Sequence, residues 1–211
     1  MEIVFEDNHI IVVHKSHDIP TQTAKLTQKD LVSELKNYLG SKDGKEPYLG
    51  VIHRLDQNVE GLLVFAKNSK AAAVLSKQIS TDNFNKDYIA KVDGNIPDGE
   101  RVLSDFLISD NKSNVTRVVD KDTKGAKESV LVYEKIEDGL LKIHLKTGRK
   151  HQIRVQLSNA GFPIVGDKKY GNGSESVSKR LCLMAYHLSF NHPVSGKRLD
   201  FTLPLSLTKA W

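Results

Sequence analysis

Cysteine is nearly absent from this 211-residue sequence. Cys182 stands alone, which rules out an internal disulfide and a zinc site built from cysteine pairs, and suits a reducing compartment. Long apolar runs are missing as well, so no segment has the length needed to cross a bilayer. The opening stretch MEIVFEDNHIIVV carries acids where a secretory signal would carry basic residues, and Glu6, Asp7, Asn8 and His9 break its apolar runs. These absences predict a soluble, cytoplasmic protein with no membrane partner. Several chemistries are missing too. Gly40 to Lys45 is one residue short of a phosphate-binding loop and lacks the Ser or Thr that should follow. There is no GxGxxG dinucleotide loop and no Ser-His-Asp nucleophile elbow. His187 and His192 have no acid or cysteine at ligand spacing, so they read as ordinary strand and turn histidines. No cofactor and no metal are expected.

What the chain does have is a surplus of positive charge. Lys and Arg number 31 against 26 Asp and Glu, for a net charge of +5, which points toward a polyanionic partner. A hydrophobic share of 39% is enough for one substantial core at this length.

The pattern along the chain is α+β. Residues 2–13 predict a hairpin with a turn at Asp7-Asn8. Residues 28–39 place Leu31, Leu35 and Leu39 on one helical face, with Thr27 as the cap and Gly40 as the stop. Ser41 to Pro47 is a loop; strands follow at about 50–53 and 61–67, then an alanine-rich helix from Ser69 to about Ile79. From 86 to 146 the pattern is mainly strand, interrupted by a charged loop from Asp120 to Glu128. Residues 150–160 predict a helix with Ile153, Leu157 and Ala160 inward and Gly161 ending it. Tyr170 to Ser178 is a Gly/Ser-rich candidate for a mobile loop, and strands at 181–190 and 199–205 flank a turn at His192 to Gly196. No linker or repeat divides the chain. Residues 1–211 are expected to be a single domain around a mixed, mostly antiparallel β-sheet with flanking helices, and a monomer.

Two clusters carry the chemistry. In Gly50-Val51-Ile52-His53-Arg54-Leu55-Asp56 an acid and a base sit on a short polar link between strand-like runs, where charged residues are poor sheet formers and an acid is rarely buried without a partner. A turn role would explain Asp56 alone; Arg54 beside it favours a site. The second cluster is Thr147-Gly148-Arg149-Lys150-His151-Gln152-Ile153-Arg154. On a helix, 150, 151 and 154 share a face. Cations at a helix start oppose its dipole unless an anion is near, so a bound phosphate is favoured over a solvated face.

With both clusters in view, the sequence resembles the RluA-type pseudouridine synthases. Their central motif matches HRLDQNVEGLLVFAK, from His53 to Lys67; a Lys-x-Tyr-x-Ala element matches Lys86 to Ala90; a third runs from Leu145 to Arg154 and on through Gly161 to Asp167 and Tyr170-Gly171. The likeness spans nearly the whole chain. It implies that Asp56, Tyr88 and Arg154 are catalytic. Asp56 is then the reacting carboxylate, Tyr88 packs against the target uracil, and Arg154 pairs with Asp56. Arg54 enters the RNA stack beside the flipped base, with His53, Arg149, Lys150 and His151 as further RNA contacts. Departures are confined to Val59-Glu60 in place of Thr-Ser, Ser16 and Asp18 in place of proline and glycine after Lys15, and Met184 in place of histidine. The catalytic pattern begins at residue 2, so no N-terminal accessory RNA-binding domain is expected.

The implied reaction moves the uracil's attachment to ribose from nitrogen to carbon. Nothing is added or removed, which agrees with the missing cofactor motifs. It needs an ionised carboxylate as nucleophile or base, and arginine, permanently charged with two donors in a fork, favours that state. An aromatic face holds the loosened base while it turns, at roughly 1–3 kcal/mol per stack. Extruding the target costs a few kcal/mol. The expected function is isomerisation of uridine in structured RNA, ribosomal or transfer RNA. The rivals are a non-catalytic RNA-binding or RNA-folding protein on the same scaffold, and a nucleoside hydrolase releasing free base.

Overall fold

A computed structural model describes residues 1–24, 28–40, 45–81, 83–110, 112–137, 139–171, 178 and 180–211. Thr27, Ser41 to Gly44 and most of the Gly/Ser stretch after Gly171 lie outside the described residues, and the expectations placed on them with it. The chain forms two compact units, Met1–Lys86 with Ala185–Leu205, and Asp87–Met184 with Ser206–Trp211.

The elements run in the order β1 (Glu2–Glu6), β2 (Ile10–Lys15), α1 (Leu31–Leu39), β3 (Gly50–Val51), β4 (Glu60–Ala66), α2 (Ser69–Gln78) and β5 (Asn85–Lys91). They continue with β6 (Glu100–Asp110), β7 (Val115–Val119), β8 (Lys127–Glu137), β9 (Leu140–Leu145), α3 (Gln152–Asn159), β10 (Leu183–Asn191) and β11 (Arg198–Thr202), and end in a 3-10 helix, Leu205–Ala210. The class is α+β around a mostly antiparallel sheet, as the alternating apolar runs require.

In the first unit β2 lies between β1 and β4, all antiparallel, with Ile10 opposite Ala66 and Lys15 opposite Gly61. β2 and β4 are apolar on both faces and completely buried along most of their length, which marks them as central strands. α1 begins later than expected. Its cap is Asp30, whose carboxylate accepts the N–H groups of Ser33 and Thr23, and Leu31, Val32 and Leu35 enter the core. Asn68 caps α2 through Ala71.

In the second unit the strands lie in the order β5-β9-β8-β6-β7, antiparallel throughout. β8 starts at Lys127, inside the charged stretch read as a loop, because the long β6 offers it a partner as far as Leu107. Backbone pairing along an exposed strand tolerates polar side chains. α3 is shorter than expected. It starts at Gln152, so Lys150 and His151 precede the helix, and Ala160 is exposed rather than inward.

Candidate active site

Asp56 sits in an extended link whose backbone is pinned on both sides, within the first unit. His53 Nε2 accepts the Val64 N–H at 3.2 Å. The buried Thr21 hydroxyl accepts the Leu55 N–H at 3.2 Å and donates to the Leu55 carbonyl at 3.0 Å. The carbonyl of Asp56 itself closes a turn with the Val59 N–H at 3.0 Å. One residue further, the Lys15 ammonium donates to the Gln57 carbonyl at 3.0 Å, and to those of Ser16 and Ile19 at 3.1 and 2.8 Å. Between these clamps the Leu55 side chain points into the core, Asp56 is half-buried and Arg54 is exposed. A main chain so restrained sets the directions in which residues 54 and 56 leave it.

Lys15 was not legible as a site residue. Its only signal is a lysine ending an apolar strand, yet it is completely buried. Burial lowers its pKa from 10.5 to about 8, against the opposing pull of the carboxylates of Asp56, Asp18 and Glu60. Asp18 is one of the sequence's departures, and its φ of 66° is left-handed, the conformation that the glycine expected there adopts without cost. Val59, another departure, is buried apolar core, 3% exposed.

His53, expected among the RNA contacts, is half-buried, with its ring held against β4 and Phe84. One ring nitrogen is bound to the strand, Nδ1 is shut off from solvent, and the ring meets Phe84 edge-on at 5.3 Å. Burial, reinforced by the nearby Lys86 charge, holds its pKa well below the ordinary histidine value. It is a neutral ring that shapes the link. Burial likewise lowers the pKa of Lys86, whose ammonium stands 5.9 Å from the centre of the Phe84 ring.

The second unit holds the other sequence-predicted residues. Tyr88 lies on β5 opposite Ile143 and is 7% exposed; its neighbour Asp87 is hydrogen-bonded to His144. Arg154 is on α3 and buried, not on a solvated basic face with Lys150. Its Nε and Nη2 donate to the two oxygens of Asp167 at 2.7 and 2.6 Å, a forked pair. Burial would raise the Asp167 pKa, but the bonds and charge of Arg154, with the N–H groups of Lys169 and Tyr170, bring it below the usual aspartate value. The guanidinium carbon lies over the Tyr170 ring, 5.1 Å from its centre.

The turn ahead of α3 is organised by Gln152. Its carbonyl oxygen accepts the Arg149 N–H and the Thr147 hydroxyl, both at 2.9 Å, and its amide donates to the Val130 carbonyl at 3.2 Å. His151 takes the cap position in a left-handed conformation, φ 54°, and its Nδ1 is 2.6 Å from the Tyr170 hydroxyl. Arg149 is exposed, its Nε bonded to the Glu128 carbonyl, and Lys150 is half-buried. The expected cluster therefore divides. Arg149, Lys150 and His151 belong to a turn, and Arg154 to the interior.

His187 and His192 meet acids that sequence spacing hid, Asp200 at 3.1 Å and Asp7 at 2.8 Å. Among the described residues no group of three or more His, Cys, Asp or Glu side chains is placed to hold a metal ion. No described helix is long and apolar enough to cross a membrane.

Comparison with known proteins addresses the whole pattern. Residues 9–159 match the family described as RNA pseudouridylate synthase. The chain is 36% identical over 203 residues to a Vibrio parahaemolyticus protein named dual-specificity RNA pseudouridine synthase RluA, covering 92% of this chain and 79% of that one. It is 33% identical over 217 residues to the Zymomonas mobilis protein named ribosomal large subunit pseudouridine synthase D, covering 95% and 68%. Among solved structures, human RNA pseudouridylate synthase domain containing 1 superposes with a TM-score of 0.76 at 25% identity, covering 96% of this chain and 82% of that one.

Proposed function

Because the chain belongs to the RNA pseudouridylate synthase family and is an RluA-type enzyme that isomerises uridine in RNA, we propose that Asp56 is its reacting carboxylate and that residues 1–211 act as one catalytic domain. The observation that carries this reading is the pinned link. Three separate clamps hold residues 53 to 57, so the Asp56 carboxylate enters the reaction pre-placed rather than drawn from a mobile loop. All of the proposed reacting groups lie within the stretch that matches the family.

The carboxylate acts at the ribose carbon that bears the base, as nucleophile or as base. The glycosidic carbon–nitrogen bond breaks, the uracil turns, and a carbon–carbon bond forms as a proton leaves the ring carbon for the ring nitrogen. Atoms and electrons balance without a co-reactant. Tyr88 offers the flat face against which the free uracil turns. Arg154 supplies the permanent positive charge that the resemblance gives to the reaction, and Asp167 holds its guanidinium through Nε and Nη2. Arg54, exposed next to Asp56, fills the stack vacated by the flipped base. Arg149, Lys150 and His151 contact phosphates, while His53 supports the link from behind.

The substrate class is structured RNA, ribosomal or transfer RNA. The names of the relatives support this, one specifying the large ribosomal subunit and another dual specificity. Mapping pseudouridines in total RNA from cells with and without the protein identifies the site. One that disappears on deletion returns with the wild-type chain and not with Asp56→Asn. The amide keeps the shape but cannot serve as nucleophile or base at neutral pH, so the variant binds RNA within a few-fold and forms no product. Conversion by Asp56→Asn at a comparable rate would refute the assignment.

A further inference from the structure

We propose that Lys86 holds a phosphate of the substrate RNA at the His53 end of the link that carries Asp56. The inference deepens, and rests on, the reading of that link as the place where the RNA reacts.

Lys86 closes the first segment of the first unit, and its surroundings there are apolar. Its ammonium lies 5.9 Å from the centre of the Phe84 ring. Phe84 is itself buried, stacked on Phe190 at 5.7 Å and met edge-on by His53 at 5.3 Å. This aromatic wall supplies no counter-charge. Nor can His53 serve as an acceptor. Its Nε2 already takes the Val64 N–H, so in the neutral ring the proton is on Nδ1. Among the described residues no carboxylate or carbonyl oxygen accepts a hydrogen bond from the Lys86 ammonium.

Two other lysines of the same unit show what a satisfied cation looks like. Lys15 donates to three carbonyls and lies in the field of three carboxylates. Lys67 donates to the Glu6 carboxylate and the Asp7 carbonyl, both at 2.6 Å. On Lys86 burial alone acts, lowering its pKa with no opposing charge. A cation withdrawn from water without a partner is costly, and an anion brought to it recovers that cost. The residue is half-buried, so its ammonium can still be reached from outside. A strand of RNA that presents uridine to Asp56 carries a phosphate on either side of that nucleotide. One phosphodiester offers the charge and the acceptor oxygens that the ammonium lacks, and lysine binds phosphate as a compact point charge.

The test measures RNA affinity across salt for the wild type, Lys86→Met and Lys86→Arg, with a thermal melt of each in the absence of RNA. Methionine keeps an apolar stem against Phe84 and removes the charge. Lys86→Met is expected to bind RNA on the order of 10-fold more weakly, with a log–log salt dependence flatter by about one unit. It should melt no lower than the wild type, because the charge removed has no partner in the free protein. Lys86→Arg keeps the salt dependence of the wild type. A lysine that only packs its stem on Phe84 and leaves its head in water gives wild-type affinity and slope in Lys86→Met, which overturns the inference. Inorganic phosphate separates a second source of the same anion. If it raises the melting temperature of the wild type while Lys86→Met leaves the RNA slope unchanged, the site takes a free ion and the inference falls. If Lys86→Met does not fold, the wild type decides. Reductive methylation of Lys86, followed by peptide mass spectrometry, is expected to slow several-fold when RNA is bound, and equal labelling refutes the contact. Product formation by Asp56→Asn would refute the role of the link, whereas normal binding by Lys86→Met refutes the phosphate contact alone.

Discussion

Lys15 shows how a single buried charge serves a neighbouring site. Its ammonium meets three carbonyls, so its donors are matched, yet removal from water still costs the charged form. With a folded pKa of about 8 against 10.5 in the open chain, the folded state releases the proton first as pH rises. Below about pH 8 the penalty of burying the charge is fully present; between there and pH 10.5 it is progressively relieved. The wild type should therefore gain stability relative to Lys15→Met across that window, by on the order of 3 kcal/mol. Chemical denaturation of both proteins at pH 7.5 and pH 10.5 checks it, and a constant difference would show that the lysine is not held as described. At pH 7.5 Lys15→Met should also turn over more slowly, since the Gln57 carbonyl beside Asp56 loses its anchor.

β4 connects the link to the core, and Gly61 near its start is where this connection is most constrained. Its φ of 134° is one that a side chain rarely adopts, and a Cβ there would stand 2.3 Å from the Ala185 carbonyl oxygen and 2.6 Å from its nitrogen, at β10. Backbone cannot withdraw as a flexible side chain can. Gly61→Ala should lower stability by about 2 kcal/mol or more, combining strain with forced strand separation. Turnover should suffer as well, because Val64, which holds His53, lies three residues further on the same strand. A thermal melt matching that of the wild type would refute the close approach. α3 makes a related point. Its first turn lacks a side-chain cap at His151, and Gln152, two per cent exposed, holds the preceding turn instead.

For the molecule as a whole the surplus of five positive charges matters through its distribution. Arg149 and Lys150 sit in a turn near solvent, while Arg154 and Lys15 are interior and contribute to architecture. RNA affinity should fall with salt, and Lys150→Ala should flatten the log–log dependence by about one unit while leaving the single-turnover rate at saturating RNA nearly unchanged. Arg54→Ala should slow that rate even at saturation, because filling the vacated stack acts on base flipping as well as on charge. Titrating both variants across salt with rates alongside separates the roles; identical behaviour would reduce Arg54 to another phosphate contact.

The sequence alone determined the class and the family. Alternating apolar runs specify strands wherever one face is buried, and the ordered motifs around His53, Lys86 and Leu145 fall at intervals that the family comparison supports. Asp56 and Arg154 stand out locally as charged residues beside apolar runs, whereas the roles proposed for them and for Tyr88 are what the resemblance implies. What only the tertiary structure decided is how those residues are held. Lys15 meets Gln57 across 42 positions, Thr21 meets Leu55 across 34, and Tyr170 meets Thr116 across 54. A hydrogen bond between distant segments leaves no period in the sequence. Helix boundaries were misjudged for a like reason, since capping by Asp30 and the left-handed turn at His151 depend on partners brought by the fold. Local pattern decides which face is buried; the direction in which a functional side chain points depends on which distant backbone closes around it.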